Sequence, residues 1–94
     1  MELSNFVFNS LVLRDDTGFS SLCLDVDVAS QGVTADEAKQ NLREAVILYI
    51  ESAIESNLPV IRPVPLSENP SVARANDIVE VFKLNVNIEV NAYV

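Results

Sequence analysis

The tetrapeptide Thr34-Ala35-Asp36-Glu37 constrains the fold more than any other stretch of the chain. It is a capping box: the Thr34 hydroxyl is placed to accept the Glu37 amide, and the Glu37 carboxylate to reach back to Thr34. Asp36 and Glu37 also sit where the helix dipole favours negative charge. A helix must therefore begin here. Ala38, Leu42, Ala45, Val46, Tyr49, Ala53 and Ile54 then recur at three- and four-residue steps and form one apolar face. Ile47, Leu48 and Ile50 fall off that stripe, so the second half reads as apolar nearly all round and covered on two faces. Leu58-Pro59 is expected to end it, because the residue before proline is pushed out of the α region.

The segments on either side read as strands. Residues 6–13, Phe-Val-Phe-Asn-Ser-Leu-Val-Leu, are aromatic and branched, with apolar side chains on both faces. Arg14-Asp15-Asp16-Thr17-Gly18 supplies turn chemistry, with Gly18 free to take a positive φ. Strands follow at 19–25 and 27–33, with a bend near Asp25–Asp27. Residues 58–77 hold all four prolines, Pro59, Pro63, Pro65 and Pro70. Twenty residues is long against the usual loop of about 4–6, which suggests a stiffened crossing segment within a single 1–94 domain. Residues 78–94 alternate cleanly. Ile78, Phe82, Leu84, Val86, Ile88 and Val90 point one way, and Lys83, Asn85, Asn87, Glu89 and Asn91 the other.

The order β-β-β-α-β predicts an α+β fold: an antiparallel three-stranded meander, a crossover helix on one sheet face, and a last strand parallel to the first. The other sheet face must be wet or covered. The two-sided apolar content of residues 6–13 points to a second copy there, hence a homo-oligomer, dimer or tetramer.

Charge narrows the function. Six Lys and Arg against fourteen Asp and Glu give a net charge of −8, with no His. Such a field repels phosphate backbones and anionic lipid and suits a basic protein partner. A single Cys makes no internal disulfide, and no Cys/His cluster offers zinc ligands. The start Met1-Glu2-Leu3-Ser4 lacks the basic and apolar regions of a signal peptide, so a cytoplasmic protein is expected. Cys23 has no His to act as its base and reads as a buried small hydrophobe. A two-metal nuclease would need about three or four convergent carboxylates. Asn9 and Ser10 stand where the first strand would have to supply one.

Residues 18–50 resemble the HicB-like antitoxin family. The resemblance rests on Gly18-Phe19, the run 24–32 (Leu-Asp-Val-Asp-Val-Ala-Ser-Gln-Gly), Thr34-Ala35-Asp36-Glu37-Ala38 and Asn41-Leu42-Arg43-Glu44-Ala45. Where family members carry a Cys-Pro-Glu-Leu-like segment, this chain has Cys23-Leu24-Asp25-Val26. Many members also carry a C-terminal DNA-binding element, and this chain ends with its last strand, so direct nucleic-acid contact is not expected. The resemblance implies a reduced RNase H-like fold without catalysis that neutralises a small basic toxin cleaving messenger RNA. The alternatives are a self-associating scaffold or regulatory module and, less favoured, a degenerate RNase H-like nuclease. No catalytic, cofactor or metal residues are expected. Asp25 and Asp27, two residues apart on an extended strand, and Glu51 and Glu55, against the dipole at the helix end, are the candidate partner-binding residues.

Overall fold

A helix that starts at a capped threonine and buries one stripe needs a sheet to lie on, and the strands on either side provide it. The computed structural model describes residues 2–90, with side chains from 5 to 88. Strand β1 (Glu2–Asp15), β2 (Gly18–Cys23) and β3 (Val28–Gly32) are followed by helix α1 (Ala35–Glu55). A segment then holds one short helix, α2 (Pro70–Ala73), between 3-10 turns at Leu66–Glu68 and Ala75–Asp77, and strand β4 (Ile78–Val90) comes last. The expected extension of that strand over 91–94, and the side-chain directions of Glu89, Val90 and Asn91, lie outside the described residues.

The four strands form one sheet in the order β3-β2-β1-β4, antiparallel throughout. The α+β class and the element order are as expected, but the direction of the last strand is not. It runs antiparallel to β1, with Leu13 opposite Ile78 and Glu2 opposite Val90. The reason is a count of crossings. β1 rises, β2 descends, β3 rises and α1 descends, so a strand entered directly from the helix would rise beside β1. Residues 56–77 instead carry the chain back along the sheet before β4 begins. Early on, the Arg62 and Val64 amides donate to the Asp25 and Leu24 carbonyls, at the end of β2 (3.0 and 2.9 Å). Later, the Arg74 guanidinium meets Asp15 at the far end of β1 (3.3 Å).

That return stroke also covers the second sheet face. Ser21 lies against α1, its hydroxyl donating to the Ala38 carbonyl (2.7 Å). It pairs with Val12, so alternation turns Leu11 and Leu13 to the opposite face. Both are buried all the same. With the helix on the other side, the return segment, which meets β1 through Arg74 and residues 75–77, is the element left to shield them. The apolar content that suggested a second copy on this face is thus satisfied in part within one chain.

The main core lies under the helix: Phe8, Cys23 and Val26, with Leu42, Val46 and Ile50 from α1 and Leu84, Val86 and Ile88 from β4. Ile50, off the expected stripe, is central to it, whereas Leu48 is 67% exposed, so the second half of α1 is not covered all round. The helix start is the expected one: Thr34 Oγ1 accepts the Glu37 amide at 3.1 Å. The return arm lands one residue early, on the Val33 amide (3.2 Å). The helix stops three residues before the expected Leu58. Asn57 takes a left-handed conformation (φ 56°). The Leu58 amide then bonds Ala53 O (2.7 Å) and the Asn57 amide bonds Ile54 O (3.1 Å), a Schellman motif.

Gly18 and Gly32 are not left-handed; neither has a positive φ. Close approach is what requires them. A Cβ on Gly32 would lie 2.5 Å from the Ala38 amide nitrogen, and one on Gly18 2.7 Å from the Gly32 carbonyl oxygen. The first turn of α1 rests on that bare backbone.

Candidate protein-docking surface

The four acids singled out by sequence divide into two pairs with different fates. Asp25 and Asp27 are not on an extended strand. They lie in the turn between β2 and β3, where Asp27 is left-handed (φ 52°). The Asp25 carboxylate accepts the Asn9 amide at 2.7 Å, while Asn9 O accepts the Leu24 amide at 2.8 Å. Asp25 therefore continues the β1–β2 ladder where the strand itself has turned away. Arg62 straps this turn to the helix, its amide on Asp25 O and its guanidinium on Asp27 O (3.4 Å), with the guanidinium 5.1 Å from the Tyr49 ring centre. The fold uses the carboxylate of Asp25 and the backbone of Asp27, whose side chain is exposed.

Glu51 and Glu55 have no such duties. Both are exposed on α1. At 100° per residue, Glu37, Glu44, Leu48, Glu51 and Glu55 fall within about 60° of arc, diametrically opposite the buried stripe. Glu37 stands in line, but its carboxylate is held by the Val33 amide; the free acids, Glu44 to Glu55, run about 17 Å along the helix. No cation answers them: the ion pairs among the described residues are Lys39 with Asp36 and Glu80, and Arg74 with Asp15 and Asp77. Glu51 and Glu55 also repel each other at i,i+4 and oppose the dipole, in a last turn without basic residues. Sequence reasoning found the last two members. It missed that Glu37 and Glu44 complete the line, although the seven-residue step 37–44–51 was there to read.

Beside the stripe opens an apolar cleft of about 340 Å³, lined by Tyr49, Ser52 and Ala53 of α1 and by Leu58, Pro59, Ile61 and Arg62. The Schellman turn folds residues 58–62 back along the helix, and the Tyr49 hydroxyl fixes them by donating to the Pro59 carbonyl (3.2 Å). Ser52, at the rim of the cleft, is the helix position next to the stripe. An acidic ridge beside an apolar slot is suited to a polypeptide that presents both cations and an apolar side chain.

Cys23 is fully buried and unpaired, and burial pushes its thiol up from the ordinary range. Its neutral form is the one the core accepts. Among the described residues, no three His, Cys, Asp or Glu side chains lie together as a potential metal site. No helix among them is long and apolar enough to cross a membrane.

No family model matches the chain, and no solved structure does. Among curated proteins, the UPF0150 protein ssr1765 of Synechocystis sp. is similar to it. The two are 41% identical over 58 residues, a match covering 57% of this chain and 73% of the relative. With that identity over nearly three quarters of the relative's length, the chain belongs to the UPF0150 family.

Proposed function

We propose that this protein is a non-catalytic binding module of HicB-like type, a type II antitoxin that neutralises a small basic toxin cleaving messenger RNA. The observation that carries this reading is the unanswered acidic stripe of α1 beside the Tyr49–Arg62 cleft. A ribonuclease must present cations to its substrate backbone. An acidic ridge about 17 Å long, from Glu44 to Glu55, competes for those cations, and the cleft takes an apolar side chain that anchors the complex. Long-range attraction speeds encounter, so association slows as salt rises. The resemblance of residues 18–50 to HicB-like antitoxins supports the same reading.

The test is affinity capture of the tagged chain from its host lysate, identification of what co-elutes, and an RNA-cleavage assay on it. The expected result is a stoichiometric, small, strongly basic protein whose cleavage of RNA this chain inhibits. Recovery of the chain alone, at high yield, would count against the antitoxin and move a self-associating scaffold to first place.

A further inference from the structure

The outward face of α1 carries more than charge. Leu48 stands in line with Glu44, Glu51 and Glu55. Leu48, Leu58 and Ile61 are each more than half exposed, the last two lining the Tyr49–Arg62 cleft. Large apolar side chains grouped beside a groove mark a surface that another molecule covers. A second copy offering the same face does not suit it, because a two-fold contact would set one row of acids against the other. The spacing of the row says what does. Positions 44, 48, 51 and 55 step by four, three and four residues, so the row stays nearly straight along the axis. From Glu44 to Glu51 is a rise of about 10.5 Å, and from Glu51 to Glu55 about 6 Å. An extended strand spans the second step in about two residues but the first in about three, which turns its side chains to opposite faces. A strand that meets Glu51 and Glu55 therefore misses Glu44. A helix has the same rise and the same rows of four, three and four, and packs with its axis about 8–10 Å from that of α1. One helix can answer the whole row.

We propose that the element docking here is an amphipathic basic helix of the partner, laid along α1, with a cation facing each of Glu44, Glu51 and Glu55 and an apolar residue against Leu48. A neighbouring apolar side chain of that helix enters the cleft past Ser52. An antiparallel helix carries cation, cation, apolar residue and cation at successive steps of four, three and four; a parallel one carries the reverse order. The inference rests on the proposed function for the basic character of the partner, and adds the shape and sequence period of what docks.

Fluorescence anisotropy at low salt tests this with labelled alanine-based peptides of about 20 residues, their helicity first established by circular dichroism. The matched peptide carries lysine, lysine, leucine and lysine at those steps and is made in both chain senses. The better sense is expected to bind the wild type. A permuted peptide of the same composition, with its lysines spread round the helix, and a matched peptide broken by a central proline should each bind roughly tenfold more weakly. E51K/E55K should weaken the matched peptide roughly tenfold as well. D16K/E68K changes the net charge by the same amount away from α1 and should bind nearly as the wild type does. Equal binding of the matched, permuted and proline peptides would overturn the proposal, since charge alone would then recruit the partner. So would a matched peptide that fails to bind at millimolar concentration, or one that D16K/E68K weakens as much as E51K/E55K. The two readings fail separately. A lysate without a toxin leaves the peptide results standing, and a captured toxin with any of the three contrary results removes the helix and keeps the antitoxin.

Discussion

Two pairs of acids, Asp25 with Asp27 and Glu51 with Glu55, look alike in the sequence and behave oppositely in the structure. The turn pair is held by the fold, Asp25 through its carboxylate and Asp27 through its backbone. Asp25 continues a strand ladder through the Asn9 amide, and Asp27 holds a left-handed corner strapped by Arg62. The helix pair makes no ion pair among the described residues, opposes the dipole and belongs to a stripe facing away from the core. An acid that the fold uses says little about partners. An acid that the fold tolerates at a cost is a better guide to where a partner sits.

The comparison breaks first at the scaffold beneath it. Gly32→Ala puts a methyl group into the first turn of α1, 2.5 Å from the Ala38 nitrogen, and should cost about 1–3 kcal/mol as overpacking. An unchanged urea midpoint would show that α1 does not rest on this backbone. Asp25→Ala, at the acid the fold uses, should cost about 0.5–2 kcal/mol, as loss of a capping carboxylate does elsewhere. Equal stability after that change would return Asp25 to the list of free acids. Glu55→Lys should go the other way, raising stability by about 0.3–1 kcal/mol, with Glu51→Lys adding less because the dipole fades beyond the last turn. Thermal melts at low salt would read both signs, and a fall in midpoint for Glu55→Lys would mean that the carboxylate has a structural partner.

Much of this was legible locally. Thr34 and Glu37 announce the helix start, and the alternation from Ile78 names the inward residues Leu84, Val86 and Ile88, all buried. What was not legible depends on counting or on distance. The direction of β4 turns on whether residues 56–77 cross the sheet again. Their unusual length held that information, but a local pattern does not reveal a crossing. Gly32 reads as a bend glycine because the helix that presses on it starts three residues later and contacts it only after folding. Asn57 is a readable helix stop that Leu58-Pro59 overshadowed. The acids were the hardest part, because Asp25 earns its role from Asn9, sixteen residues away. The helical stripe was readable from spacing alone once the acids were placed on a wheel.

On the proposed function, the solvent face of α1, and not the β2–β3 turn, docks a basic partner. The most direct test captures the partner in parallel with the wild type, E51K/E55K and Asp27→Asn, each first shown to be folded by circular dichroism. The helix variant is expected to lose the partner while gaining thermal stability, and Asp27→Asn to keep it. Retention by E51K/E55K together with loss by Asp27→Asn would contradict the account and move the docking surface to the turn.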